Sequence, residues 1–168
     1  MSASTAAISG IPFRKINIDQ YDEELVHPSS LYLADPRPSS QILNDTQSKD
    51  RKVRQFLQSG QVENALKECL KDGEWPFGED TDLEIKQSKD IALNSILSVL
   101  NSSRSTDIPN LVQTLTPSEQ VTLMKYLYKA MENLGDSSGN AVLGWHEKLV
   151  EVAGIGCIVR VMTDRRRV

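Results

Sequence analysis

The sequence predicts an all-α protein, an irregular α-α superhelix of about six to seven antiparallel helices behind an extended N-terminal arm. Three observations carry that expectation. Aromatic residues are 5% of the chain against 39% apolar overall. The core must therefore be mostly Leu, Ile, Val, Ala and Met, which suits helices better than a sheet, where aromatic and β-branched side chains concentrate. Beyond about residue 44 the apolar residues recur at spacings of three and four, the signature of helices with one buried face. Before it, Ser, Pro, Ala and Asp dominate, and Pro12, Pro28, Pro36 and Pro38 break any long helix. The expected division is an arm over 1–44 and a helical body over 45–168.

At 168 residues the chain is long enough for one domain with a sizeable core. A charged fraction of 25% fits a soluble globular protein. The net charge of −4 aids solubility but gives no field to recruit DNA or RNA. Cys69 and Cys157 lie in apolar helical surroundings. They read as small buried hydrophobes in a reducing compartment, not as a disulfide framework. No apolar run approaches the roughly 20 residues needed to span a bilayer, and residues 1–10 lack a basic-then-apolar signal pattern. The expectation is a cytosolic protein without membrane insertion.

Within the arm, Phe13, Ile16, Ile18 and Tyr21 are apolar anchors among polar neighbours, and Leu31-Tyr32-Leu33 is a second apolar group. Such anchors either order on a partner surface or pack back on their own domain. The first helix is expected over 44–57, with Val53, Phe56 and Leu57 near its end and Gly60 as its stop. The second, 62–71, carries Val62, Ala65, Leu66, Cys69 and Leu70 on one stripe. Gly73, Pro76 and Gly78 then mark a loop.

The third helix is expected over 81–100. Thr81 and Glu84 have the spacing of a capping box, in which each side chain meets an orphan N–H of the other's end. Ile85, Ala92, Ile96 and Leu100 line one face, and Leu93, Leu97 and Val99 widen it. So broad an apolar surface predicts a central helix. A short helix over 108–115 follows. The fifth has the strongest start signal: Thr116 as cap, Pro117 at the first helical position and Glu119 completing the box. Val121, Met124, Tyr128 and Met131 line one of its faces, and Leu123, Leu127, Ala130 and Leu134 the next. The sixth, 140–152, carries Val142, Trp145, Leu149 and Val152. Gly154 and Gly156 interrupt, and 155–162 is either a last short helix or an extended edge, since Ile158, Val159 and Val161 also suit a strand. Short connections between such helices predict antiparallel neighbours.

Catalytic motifs are weak. His146-Glu147 begins a zinc-protease pattern, but its second histidine would fall at Val150. Gly154-Ile155-Gly156 begins a dinucleotide loop, but the third glycine is replaced by Val159 and the segment follows a helix. Cys157 among Ile155, Ile158 and Val159 reads as an inert thiol rather than a nucleophile paired with His146. Asp19, Asp22, Glu23 and Glu24 lack a calcium loop's spacing and sharp glycine turn. Arg160, Arg165, Arg166 and Arg167 form a basic end. In a chain of net negative charge, a helix-dipole partner or a protein contact is favoured over nucleic acid or acidic lipid. The expectation is a non-catalytic protein with no cofactor and no metal.

Several of these segments resemble subunit 5 of the actin-related protein 2/3 complex, the actin-branching assembly. The likeness rests on Leu123-Met124-Lys125-Tyr126-Leu127-Tyr128-Lys129, on Trp145-His146-Glu147-Lys148 and on Gly154 through Thr163, which follow in that family's order and spacing. Phe13-Arg14-Lys15-Ile16, Asp19 and Tyr21-Asp22-Glu23 match its N-terminal pattern. It covers the arm segment and the body from about Val53, and leaves 25–50 and 73–80 unaligned. The resemblance implies a structural subunit whose body docks on the propeller subunit (subunit 1) and on subunit 4. The arm would tether the actin-related protein 2 subunit through Phe13, Ile16, Ile18 and Tyr21, with Arg14, Lys15, Asp19, Asp22 and Glu23 setting register. Arg160 and Arg165 to Arg167 are candidate body contacts. The mother actin filament would be met only indirectly, through the complex, and the protein would sit in the cytoplasm, in branched actin networks or actin patches. The rival reading is a stand-alone cytosolic helical adaptor for a peptide or partner helix.

Overall fold

The computed structural model of the chain describes residues 28–71, 74–78, 82–132 and 139–168. The chain divides after Leu31. Before that break a four-residue helix is described, α1 (Pro28–Leu31). The unit Tyr32–Val168 holds α2 (Ser39–Gln58), α3 (Val62–Leu70), α4 (Leu83–Ser102), α5 (Ile108–Gln113), α6 (Pro117–Glu132), α7 (Gly139–Ala153) and α8 (Ile155–Thr163). Among the described residues there is no strand, so the fold is all-α as the composition predicts. None of the described helices is long and apolar enough to cross a membrane.

The helix starts show which local signals acted. α2 begins at Ser39 rather than near Asn44. Pro38, at φ −61° and ψ 142°, starts the helix instead of breaking it: its carbonyl accepts from the N–H groups of Gln41 and Ile42. The buried Ile42 and Thr46 then hold the added turn in place. At α4 the Thr81 half of the expected capping box lies outside the described residues. Asp82 is the N-cap and makes no side-chain cap bond. At α6 the box forms. The Thr116 N–H and hydroxyl both donate to Glu119 Oε2 at 2.8 Å, and the Glu119 N–H donates to Thr116 Oγ1 at 3.3 Å.

The core is one cluster that runs from Val53 of α2 to the last residue. α4 packs on α2, α3, α6 and α7, the central place its broad apolar surface predicts. The buried Trp145 of α7 donates its indole N–H to the Leu100 carbonyl at 3.4 Å, adding a second donor to an acceptor near the end of α4 that also takes the Ser103 N–H. Chain neighbours pack as expected for α2 with α3, α3 with α4, α6 with α7 and α7 with α8. α5 departs from this. It is six residues long, buries Ile108 and Val112, and packs chiefly on α7. α2 also reaches past its chain neighbour to make an extensive contact with α4. There Ser95 Oγ donates to Asp50 Oδ1 at 2.8 Å.

The last segment, for which helix and extended edge were both open, is helical. Gly154 at φ +73° makes the sharp turn between α7 and α8. Burying Cys157 and packing Ile158 and Val161 on the core override the strand preference of the β-branched residues.

Two substitutions check this local account by urea denaturation. Thr116→Ala removes one half of the α6 box and is expected to cost about 1 kcal/mol. Gly154→Ala keeps the space but places a Cβ at positive φ, costing about 1 kcal/mol as well.

Candidate interaction surface

Residues 164–168 do not trail away from α8. The N–H of Leu33 donates to the Arg165 carbonyl at 3.0 Å, and the N–H of Gly78 donates to the Arg167 carbonyl at 3.1 Å. Val168 joins the core. Gly78 adopts φ +118°, and a Cβ there would lie 3.6 Å from the Asp35 backbone nitrogen. A side chain at that position would be strained by the backbone conformation, although its Cβ would meet Asp35 only at ordinary contact distance.

Lys125, on α6, holds this seam from inside. It is 5% exposed. Its ammonium donates to Asp164 Oδ2 at 2.7 Å and to the Arg166 carbonyl at 2.9 Å, and lies 4.7 Å from the centroid of the Trp75 ring. The Arg166 guanidinium also stacks on Trp75, at 5.4 Å, and that of Arg167 lies 5.3 Å from the Tyr32 ring. Arg37 forks onto Asp35 at 2.9 and 2.6 Å and donates to the Trp75 carbonyl at 3.2 Å. Lys89 caps the Gly78 carbonyl at 2.6 Å. The sequence marked 73–80 only as a loop. Trp75 through Gly78 are in fact buried, because they form the floor on which the tail lies.

Two carboxyls of the seam are held below their ordinary value of 3.8. Burial alone would raise Asp164. The Lys125 bond, the Arg166 N–H and the two positive charges outweigh it. Burial would likewise raise Asp35, and the bonds and charge of Arg37 outweigh it.

Of the expected basic contacts, Arg165, Arg166 and Arg167 therefore have their backbone carbonyls, and the last two their guanidinium groups, engaged within the body. Arg160 sits exposed in the last turn of α8, where a cation complements the helix dipole. The arm residues Phe13, Arg14, Lys15, Ile16, Ile18, Asp19, Tyr21, Asp22 and Glu23 lie outside the described residues.

The exposed apolar groups gather elsewhere. On α8, Ile155 is 75% exposed, Val159 53% and Met162 80%. Spaced i, i+4 and i+7, they share one face of the helix, opposite the face that buries Cys157. Val152, expected on the buried stripe of α7, is exposed, as is Leu143. The stripe closes with Val142, Trp145 and Leu149. α8 is thus apolar on both sides, which a helix with solvent on one side does not require.

The reactive side chains are tied into packing. The buried Cys157 thiol donates to the Gln120 carbonyl at 3.5 Å and is pushed up by burial. Burial pushes the Cys69 thiol up to about 12. Neither carries thiolate character at neutral pH. His146 meets Tyr128 edge-on, ring centroids 5.6 Å apart, with Nε2 3.4 Å from the phenol oxygen. Among the described residues no group of three or more His, Cys, Asp or Glu is placed to hold a metal ion.

This is an all-helical protein with a sealed C-terminal seam and an apolar helix face left uncovered. The chain belongs to the family described as the ARP2/3 complex 16 kDa subunit (p16-Arc), whose pattern matches residues 12–168. It is 33% identical over 157 residues to actin-related protein 2/3 complex subunit 5-C of Xenopus laevis, covering 93% of this chain and 94% of that one. It is 30% identical to subunit 5 of Saccharomyces cerevisiae (93% and 97% covered). It is 34% identical to the probable subunit 5 of Caenorhabditis elegans (88% and 94% covered). The resemblance carried by the segments around Lys125, Trp145 and Gly154 is thereby established along nearly the whole chain.

The seam has a pH signature. Because both carboxyls are depressed in the folded chain, the unfolded chain binds more protons in acid. Their stabilisation is complete above 3.8 and is lost as pH falls below that value through the folded ones. Asp164→Asn should cost about 2 kcal/mol at pH 7, less than a fully buried pair would, because Asp164 is partly exposed. It should also flatten the acid limb of stability in urea titrations from pH 7 to pH 3.

Proposed function

We propose that this chain is a non-catalytic structural subunit of the Arp2/3 complex, the assembly that nucleates branched actin filaments. The single observation that carries the reading is the uncovered apolar face of α8 on a chain of this family. Ile155, Val159 and Met162 expose more apolar side chain than a helix standing in water gains by presenting. A partner surface that removes them from water supplies about 25 cal/mol per Å² of apolar area.

In this reading the body docks on the propeller subunit and on subunit 4, with the α8 face as the contact and Arg160 beside it. Arg165 to Arg167, folded into the seam, offer their outer edges to the same neighbours. The arm reaches the actin-related protein 2 subunit. Phe13, Ile16, Ile18 and Tyr21 anchor it, and Arg14, Lys15, Asp19, Asp22 and Glu23 set its register. A tether of this kind raises the local concentration of its partner without fixing it rigidly. The protein works in the cytoplasm, within branched actin networks, and meets the mother filament only through the complex.

Two co-purification experiments separate the parts. Ile155→Asp combined with Met162→Asp should leave the melting temperature of the chain nearly unchanged and abolish recovery of the propeller subunit. Full recovery would remove α8 from the interface. Deleting residues 1–24 should keep the body in the complex and reduce recovery of the actin-related protein 2 subunit. Unchanged recovery would show that the arm is not a tether.

A further inference from the structure

Three buried polar atoms have no hydrogen-bond partner among the described residues: Lys49 Nζ, Trp75 Nε1 and Tyr126 Oη. They come from α2, from the loop Trp75–Gly78 and from α6, and yet all three residues line one small cavity of about 20 Å³, together with Thr46, Asp50 and Ser95. Trp75 and Tyr126 are each 2% exposed. Folded proteins leave few such groups unmet, since a buried donor without a partner forfeits its bond to water and gains nothing in return. Trp75 Nε1 and Tyr126 Oη, unmet among the described residues, and Lys49 Nζ, ion-paired to Glu74 but without a well-aligned hydrogen bond, together mark a place around one cavity that takes an occupant.

Size, charge and donor inventory choose it. An internal water needs roughly 10–15 Å³ of such space and two to four polar partners, so this cavity has room for one. The Lys49 ammonium stands 3.3 Å from Glu74 Oε2, and Asp50 forms part of the wall. These carboxylates offset the positive charge and favour a neutral occupant over a monoatomic anion. The Trp75 indole and the Lys49 ammonium can only donate, while the Tyr126 hydroxyl can also accept. A water's two lone pairs receive the two donors. One of its hydrogens goes to Tyr126, and the second remains for an oxygen of Asp50, Thr46 or Ser95.

We propose that this cavity is the site of one structural water bridging Lys49, Trp75 and Tyr126. It joins α2 to α6 through the loop between them. It also fixes the indole from its N–H edge, while Lys125 and Arg166 stack on the ring of the same residue. The bridge therefore sets the platform on which the C-terminal seam rests.

Tyr126→Phe in the full chain tests the bridge, because it removes the hydroxyl and nothing else. If the water is present, the substitution takes away a satisfied partner and the melting temperature falls, by about 2–4 °C or more for a chain of this size. If the hydroxyl is an orphan in a dry cavity, removing it relieves a desolvation cost. An unchanged or raised melting temperature would therefore overturn the proposal. A crystal structure of the unsubstituted chain, grown in sodium bromide, gives an independent reading. One density peak within about 3.2 Å of all three atoms, without anomalous signal, is the expected result. An empty cavity, or an anomalous bromide peak there, would overturn it.

Discussion

The buried ammonium of Lys125 is the constraint on which the rest of the body depends. A cation sealed inside a helical core costs several kcal/mol unless its lost hydration is replaced. Here a carboxylate, a backbone carbonyl and an aromatic face replace it, the first two from the tail at Asp164 and Arg166 and the third from the distant Trp75. Asp164 and Arg166 require the tail to fold back after α8. Trp75 requires its loop to be buried rather than solvated. Each consequence has a further one. The returning tail leaves carbonyls to satisfy, and the N–H groups of Leu33 and Gly78 satisfy them. The buried loop leaves carbonyls of its own, and Arg37 and Lys89 satisfy those. The last residue, Val168, ends in the core because the chain has been brought there.

That arrangement divides the body by task. One side spends its charged side chains on internal bonds, so cations that look available in the sequence are engaged by their own fold. The α8 side keeps apolar groups in the open, on the face that we propose meets a partner. α8 is anchored at its C-terminal end by the Asp164 pair and at its start by the Gly154 turn, so its exposed face is presented in a defined orientation.

Much of the helical framework was legible because it is written in local terms. The α6 start is an example: Thr116, Pro117 and Glu119 satisfy one another whatever surrounds them, and the box formed as spelled. The stripe of α3 and the breadth of α4 needed only spacing to be recognised. The seam was not legible. Lys125 sits in a run from Thr122 to Leu127 that is buried at every position, and its charge argues against that burial until Asp164, thirty-nine positions on, is seen beside it. Trp75 in a loop bounded by glycines and a proline gave no periodicity. The one available signal was the oddity of a Trp and a Phe in an otherwise turn-forming stretch.

The chain alone settled the all-α class, the order and approximate limits of most helices, and family membership, since each follows from side chains within a few positions or from motifs in a fixed order. Tertiary structure decided which apolar groups are buried and which are offered outward, as Leu149 and Val152 of one stripe show. It also decided that α8 is a helix and that the basic end is a folded seam. The physical reason is that burial and charge pairing depend on groups distant in sequence, and hydrophobic spacing is the same for a face turned to its own core and a face left for another protein.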